Sequence, residues 1–342
     1  MTPNMERGAR IIIHEWVKVR AWDKVLIVTS KEYLAEAKAM EKEASGKARS
    51  VNTLLVENKG RHVGIFFDDN EAVFDPYTAI IAATEYSLVT TKAAKRAIQR
   101  HKKFLSLPLA TNDGRSFLEY DFLTMDTKKS RLMAKAFIKY LKYSEKVRVT
   151  TPAGTDLECD NEPGRDYVTA DGFVRKNDIK MFPGQISWSP NFESVNGVLV
   201  VDGTLSPPIG ALQGPVKFYI EKGYIKKIEG GRDAENFRAW LESFDDPNMF
   251  LMAHSGLGFG PMAQLNGDIV EDERVWGCTE WGIGNVGPQL VSDMEGGIAA
   301  ASHSDGIALN CSLWIDGVQV LDEGKVVGPT EEFVELARQL GH

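Results

Sequence analysis

A histidine and an aspartate stand two residues apart in the segment AASHSDGIAL, residues 300–309. Side chains at positions i and i+2 of an extended strand lie on one face, so His303 and Asp305 can point toward a common centre. Another histidine, His254, lies in the glycine-rich segment LMAHSGLGFGP. Two imidazoles and one carboxylate can bind one face of an octahedral metal ion and leave positions open for substrate and dioxygen.

The same three side chains also suit a hydrolytic zinc ion, which acidifies a bound water for attack. A lone HxD pair is common in proteins without a metal. Taken alone, His254 is more simply interpreted as a hydrogen-bonded structural histidine. The residues by themselves therefore leave a metal site and a structural role open.

Composition narrows the classes of protein to consider. A chain of 342 residues exceeds one typical core and predicts two domains. The net charge of −8, without a long basic tract interleaved with aromatic residues, argues against a nucleic-acid partner. No apolar run reaches about 18 residues, so we expect no membrane span. Three widely spaced cysteines and an N-terminus without a signal-peptide pattern predict a cytoplasmic protein with reduced thiols.

The pattern of apolar residues predicts the helices and strands that must position these candidate residues. In the first part we expect strands in DKVLIVTS, ARSVNTLLV, HVGIFF, YSLVTT and KFLSLPL, and helices in KEYLAEAKAMEKEAS, AVFDPYTAIIAAT and KAAKRAIQRHK. This alternation predicts an N-terminal α/β domain with a mainly parallel sheet over residues 1–147, closed by an amphipathic helix over 128–146. Glycine, proline and short alternating segments then predict a C-terminal, β-rich α+β metal-binding domain over residues 148–342.

The second half resembles the metallo-aminopeptidases of the aminopeptidase T and S type. The resemblance rests on the segments VRVTTPAGTDL, MFPGQISWSPNFESVNGVLVVDG, HSGLGFGP, GDIVEDERVWGCTEWGIGN and SHSDGIAL. It implies a pair of metal ions held by two glutamates, two histidines and an aspartate. Here Gln185 and His254 replace the two glutamates and Glu280 replaces a histidine, whereas His303 and Asp305 are unchanged. Two close cations need several anionic oxygens to offset their repulsion, so these replacements argue against a two-metal peptidase.

The chain is more similar to the 2,5-dihydroxypyridine 5,6-dioxygenase branch of this superfamily. That resemblance implies a mononuclear non-haem Fe(II) dioxygenase that cleaves a hydroxylated aromatic or N-heteroaromatic ring such as 2,5-dihydroxypyridine. It implies His254, His303 and Asp305 as the iron ligands. The expected partners are a small aromatic substrate and dioxygen, and the expected pathway is nicotinate degradation or other aromatic compound catabolism. Family analogy predicts a homo-oligomer, a dimer or larger.

Three further residues are candidates for acid–base or hydrogen-bonding roles. Glu280 is a candidate base or a partner of a metal ligand, with a structural salt bridge as the alternative. Gln185 is a candidate hydrogen-bond donor to substrate. His101 is a candidate acid–base group from the N-terminal domain or a neighbouring subunit, although its basic helix favours a surface role. Four aromatic residues could line a ring-sized pocket, namely Trp188, Phe259, Trp276 and Trp281. Packing in the hydrophobic core is the default interpretation of each.

Two other functions remain open from the sequence. The chain could be a metallo-aminopeptidase-like hydrolase that uses one zinc or another divalent ion in place of Fe(II). It could also be a non-catalytic protein that binds a metal or a small ligand. The loss of carboxylates at Gln185 and His254 favours the dioxygenase over the hydrolase.

Overall fold

The computed structural model describes residues 2–57, 63–170, 172–288 and 290–342. The chain forms two compact units, one made of residues 1–127 with 170–183 and the other of residues 128–169 with 184–342. These units divide the chain at different positions from the domain boundary expected between residues 147 and 148, which stays a prediction. Among the described residues, no helix combines the length and apolar character needed to cross a membrane.

The helices and strands alternate along the chain as the mixed α/β class requires. The described helices are α1 Pro3–Ile11, α2 Leu34–Ser45, α3 Val63–Asp69, α4 Lys92–Gln99, α5 Thr127–Leu141, α6 Arg232–Glu242, α7 Ile269–Asp272 and α8 Glu331–Leu340. The described strands are β1 Lys24–Thr29, β2 Ser50–Leu55, β3 Ala79–Ala82, β4 Lys103–Ser106, β5 Lys146–Thr150, β6 Asp156–Asp160, β7 Val168–Ala170, β8 Asp178–Lys180, β9 Gln185–Trp188, β10 Asn196–Val201, β11 Thr204–Ser206, β12 Gly210–Ala211, β13 Val216–Glu221, β14 Tyr224–Gly230, β15 Met252–Gly258, β16 Thr279–Val286, β17 Ile298–Ala308, β18 Ser312–Ile315, β19 Val318–Asp322 and β20 Lys325–Val326.

The first unit contains a parallel sheet in the order β2-β1-β3-β4-β8. Strand β3 is buried along its whole length, and β1 is buried after its first residue. Continuous apolar runs such as these belong to strands covered on both faces by helices. The predicted parallel α/β architecture is therefore confirmed, together with the strands in DKVLIVTS and KFLSLPL and the helix after Thr91.

Three predicted elements of this unit are wrong. The described part of HVGIFF lies in helix α3 and is not a strand. Ile65 is exposed and Phe67 is buried, whereas in a strand the two side chains would share one face. The segment AVFDPYTAIIAAT forms turns and then strand β3, where a helix was expected. Pro76 lacks an amide proton and disfavours helix at the residue before it. YSLVTT forms turns and irregular structure in place of a strand.

The second unit contains two sheets in which the described strands pair antiparallel, as the β-rich prediction requires. One has the order β14-β13-β10-β6-β5-β18-β19-β20, and the other β12-β11-β17-β16-β15-β9-β7. Residues of both sheets and of helices α5, α6 and α8 share one hydrophobic core. Trp188, Phe259 and Trp281 belong to this core and Trp276 packs against it, so core packing accounts for all four candidate aromatic residues.

Candidate metal centre

The register of strands β15, β16 and β17 brings distant residues onto one face of the seven-stranded sheet. His254 on β15 is paired with Gly282 on β16, and Gly282 is paired with Asp305 on β17. The next pair of β16 and β17 on the same face, two residues along, is Gly284 with His303. Directly paired residues of antiparallel strands share a face, as do residues at i and i+2. His254, His303 and Asp305 therefore point to the same side of the sheet.

The three side chains meet at short distances. His303 Nε2 lies 2.9 Å from Asp305 Oδ1, and His254 Nε2 lies 3.6 Å from the same oxygen. One ligand atom of each residue lies within 4.8 Å of the other two. The two imidazole rings are nearly parallel, with centroids 5.1 Å apart. The structure thus brings together the three residues that the sequence singled out, with both Nε2 atoms directed toward the Asp305 carboxylate.

Gly282 provides the space in which the His254 ring lies. A Cβ atom at this position would stand 2.2 Å from both Cε1 and Nδ1 of His254. No side chain fits at that distance without moving the ring, because carbon atoms in contact are about 3.5–4 Å apart. The absence of a side chain at Gly282 therefore lets His254 extend across β16 toward Asp305 on the following strand.

Gly256 plays the same part for a neighbouring pair of polar side chains. It is paired with Glu280, and a Cβ on Gly256 would lie 2.2 Å from Glu280 Oε2 and 3.2 Å from Gln185 Nε2. Across this gap Gln185 Nε2 donates a hydrogen bond of 2.7 Å to Glu280 Oε2. The other oxygen, Oε1, lies 2.6 Å from His254 Nε2. Glu280 thus contacts a candidate metal ligand on one side and is held by Gln185 on the other.

Glu273 completes the constellation and was not identified from the sequence. Carboxylate oxygens of Glu273, Glu280 and Asp305 lie within 4.8 Å of one another. Glu273 follows helix α7 and forms an ion pair with Arg274, whose side chain is buried. In the sequence it is one of three acids in VEDERVW, and nothing in that run shows which of them lies near Asp305. Only the position of the loop after α7 identifies it.

Burial and charge shift the pKa values of these groups in different directions. Burial lowers the pKa of His254, which favours the neutral imidazole that metals bind. Burial, reinforced by the charges of Asp305 and Glu273, raises the pKa of Glu280 well above its ordinary value. Burial opposes ionisation of Asp305 too, but His303 and His254 outweigh it and lower the pKa of Asp305. The site therefore favours a neutral His254, a protonated Glu280 and an ionised Asp305.

His101, the third acid–base candidate, lies in the other compact unit. It is exposed just after helix α4, and its Nδ1 lies 2.6 Å from Asn177 Oδ1 of the same unit. The backbone φ of His101 is 59°, a left-handed conformation that ends the helix. This hydrogen bond gives His101 a local role, and its predicted part in acid–base chemistry stays a prediction.

Comparison with known proteins shows the class of fold and the family to which this chain belongs. The chain has the fold of the aminopeptidase T type: wild-type AmpT from Thermus thermophilus superposes with a TM-score of 0.71 at 14% identity, covering 95% of this chain and 99% of AmpT. Residues 117–328 match the family model described as 2,5-dihydroxypyridine 5,6-dioxygenase (NicX), and the chain belongs to that family. The resemblance inferred from the sequence is confirmed. His101 alone of the candidate residues lies outside the matched range.

One protein sequence and one solved structure that bear the name 2,5-dihydroxypyridine dioxygenase are similar to this chain. A 2,5-dihydroxypyridine 5,6-dioxygenase of Pseudomonas putida KT2440 is 30% identical over 194 residues, which are 53% of this chain and 50% of the relative. The aligned segment thus spans about half the length of that relative. The structure of 2,5-dihydroxypyridine dioxygenase from the same organism superposes with a TM-score of 0.79 at 19% identity, covering 97% of this chain and 100% of that one.

Proposed function

We propose that this protein is a mononuclear non-haem Fe(II) dioxygenase that cleaves a hydroxylated N-heteroaromatic ring, with 2,5-dihydroxypyridine as the first substrate to test. The observation that carries the proposal is the convergence of two imidazole nitrogens and one carboxylate oxygen within 4.8 Å. The family relationship supplies the reaction and the substrate class. Nicotinate degradation is the corresponding pathway, and the cytoplasm is the location predicted from the cysteines.

The donor set fits one divalent metal ion. Two imidazoles and a carboxylate satisfy three positions of an octahedron and suit iron, with zinc as the alternative ion. His254 is kept neutral by burial and Asp305 is kept ionised, which are the forms in which each residue binds a metal. We assign His254, His303 and Asp305 as the ligands.

When bound, a ferrous ion would supply the redox chemistry that combines dioxygen with an electron-rich ring. The protein must hold and move the protons that this chemistry displaces. Glu280 is the residue we assign to that task, because its Oε1 atom faces His254 at the polar surface of the sheet. We assign Gln185 the task of fixing Glu280 through Oε2, which leaves Oε1 to carry the proton that Glu280 exchanges with a substrate oxygen.

A metal-dependent hydrolase is the second candidate, and one observation favours it. Glu273, Glu280 and Asp305 form a second group of possible metal ligands that shares Asp305 with the first. The ion pair between Glu273 and Arg274 opposes this candidate, because a buried guanidinium already neutralises one of the three carboxylates.

Anaerobic reconstitution tests both candidates. The metal-free protein is loaded with Fe(II) or Zn(II), and then oxygen uptake with 2,5-dihydroxypyridine and hydrolysis of aminoacyl anilides are measured. We expect oxygen uptake that requires both Fe(II) and the dihydroxypyridine. Hydrolysis with zinc and no oxygen uptake would support the hydrolase, and bound metal without either activity would indicate a binding protein.

A variant of one ligand tests the assignment independently of substrate. His303→Ala is expected to lose stoichiometric metal, measured by elemental analysis after desalting, because it removes one of three ligands. His14→Ala is the matched control, since His14 contacts Glu43 in the other compact unit. Full retention of metal by His303→Ala would refute the ligand set, whatever the activity.

A further inference from the structure

One edge of the parallel sheet in the first unit is exposed. Strand β2 ends the strand order, with β1 as its only neighbour among the described strands of that sheet. Four of its six residues are exposed, and Leu55 retains 51% of its accessible surface. An edge strand presents unpaired backbone donors and acceptors and can pair with a strand of another chain.

The two edges of this sheet differ in how they are protected. Strand β8 at the opposite edge has three residues, and two of them, Asp178 and Lys180, are charged. Strand β2 has the sequence SVNTLL, with neither a charged residue nor a proline. Short length and charge are the usual means by which proteins prevent an edge from pairing. Strand β2, with six residues and no charge, has neither protection.

The residues around β2 are self-complementary when two copies pair in antiparallel orientation. With Thr53 opposite its own copy, Val51 faces Leu55 and Arg49 faces Glu57, and each of these pairs occurs twice. Arg49 and Glu57 are both exposed at the two ends of the strand. Opposite charges that face each other across an antiparallel pair stabilise it, and like charges destabilise it. This register therefore places two ion pairs at the ends of the junction.

The same register covers apolar surface that is open in the single chain. Leu55 would pack against Val51 of the second copy. A crevice of about 370 Å³ also opens beside the strand, lined by Leu26, Asn52, Thr53, Leu54, Val73 and Tyr77. Asn52 and Leu54 share a face of β2 and would lie opposite each other across the junction, against this crevice. One like-charge contact opposes the pairing, because Glu41 accepts a hydrogen bond from Thr53 and would approach its own copy.

We propose that β2 pairs with β2 of a second copy of this chain, antiparallel and centred on Thr53, so that the two parallel sheets join into one continuous sheet. A second copy is the occupant that the charges favour, because Arg49 and Glu57 complement each other in this symmetric register. The proposal gives the expected homo-oligomer a specific interface, and it does not depend on the proposed function.

Engineered cysteines test the register. The three native cysteines are free and buried, so an exposed new thiol is the reactive one. Thr53→Cys is expected to give a disulfide-linked dimer under mild oxidation, because the two thiols face each other. Ser50→Cys on the same strand is the control, since its copy lies six residues away, about 20 Å along the strands. Equal or slower cross-linking of Thr53→Cys would overturn the register.

Charge reversal tests the interface without a covalent bond. Sedimentation of the full chain over a range of concentrations is expected to show that Arg49→Glu and Glu57→Arg each weaken dimerisation by about tenfold or more. The double variant is expected to restore it, because the opposite charges then face each other again. Glu41→Gln is expected to strengthen the dimer. A chain that stays monomeric at all concentrations, or an oligomer that is equally stable in every variant, would overturn the proposal.

Discussion

Both antiparallel sheets of the second unit carry acidic residues, and the two sheets place them in different surroundings. In the eight-stranded sheet, β5 and β6 alternate between exposed and buried residues, and their charges face solvent, as in the pair of Arg148 with Asp156 at 2.9 Å. In the seven-stranded sheet, all residues of β15 and nearly all of β16 are buried. Glu280 and His254 therefore face one another almost without solvent.

This difference shows how burial turns ordinary residues into a site. On the solvent-facing sheet, a hydrogen bond from Lys227 lowers the pKa of Glu229. A hydrogen bond from Arg148 lowers the pKa of Asp156 in the same way. On the buried sheet, the pKa of Glu280 is raised instead, because burial and neighbouring carboxylates disfavour its charge. On the solvent-facing sheet, water screens most of the attraction between opposite charges. On the buried sheet there is little water, so the polar groups must form hydrogen bonds with one another.

The largest effect is expected from Gly282→Ala. The new Cβ would lie 2.2 Å from the His254 ring, so the ring must leave its position between Gly282 and Asp305. We expect the affinity for Fe(II) or Zn(II) to fall by about 100-fold, together with a loss of about 1–3 kcal/mol of unfolding free energy. Chelator competition measures the first quantity and urea denaturation the second. Gly214→Ala, where a Cβ meets nothing within 4 Å, is the control. Unchanged affinity would show that His254 does not bind the metal in this position.

Gln185→Glu is expected to have the next largest effect. The amide of Gln185 donates to Glu280 at 2.7 Å, and a carboxylate in its place would face a carboxyl that already lies near Glu273 and Asp305. At neutral pH we expect a loss of about 1–3 kcal/mol in the unfolding free energy of the metal-free protein, with a smaller loss as the pH is lowered. Gln213→Glu, on an exposed residue, is the control. A loss that is the same at all pH values would contradict this electrostatic explanation.

The pH dependence of stability should have opposite signs in the two sheets. Because the folded-state pKa of Glu280 is raised, its contribution is fully present below its ordinary value of 4.5 and is lost as the pH rises through the folded value. Glu280→Gln, which keeps a donor and an acceptor, is therefore expected to reduce the loss of stability of the metal-free protein at higher pH. Glu229 has a lowered pKa, so its contribution is present above 4.5 and is lost as the pH falls.

Thermal unfolding across a pH series measures both contributions. Glu229→Gln is expected to differ from the parent at neutral pH and to converge with it in acid. Glu280→Gln is expected to diverge from the parent as the pH rises. If the melting temperatures of the two variants depended on pH in the same way, the expected difference between the two sheets would be contradicted.

The smallest effect is expected from Arg148→Ala on the solvent-facing sheet. Arg148 and Asp156 retain 48% and 57% of their side-chain exposure, so water and salt screen their attraction. We expect a melting temperature within about 2 °C of the parent and unchanged metal content. A large loss of stability would mean that the exposed ion pairs contribute more than their solvation allows.

Local patterns in the sequence predicted part of this site. The two-residue period of a strand placed His303 and Asp305 on one face, and the structure shows them on one face of β17. Gln185 and Glu280 were singled out through the family resemblance, but their mutual hydrogen bond was not predicted. Glu273 was missed altogether, because its approach to Asp305 depends on how the loop after α7 packs. Predicted secondary structure was wrong where short apolar runs such as HVGIFF fit helix and strand equally well.

The sequence by itself determined the residue types, the alternation of β17 and the membership of a family, because these are properties of neighbouring residues and of the order of motifs along the chain. Only the tertiary structure decided that His254 stands across Gly282 from Asp305, since that depends on the register in which β15, β16 and β17 pair. A shift of one residue in that register would turn the histidine to the opposite face. Long-range pairing, and the burial that follows from it, therefore convert a histidine, a glycine and an aspartate into one site.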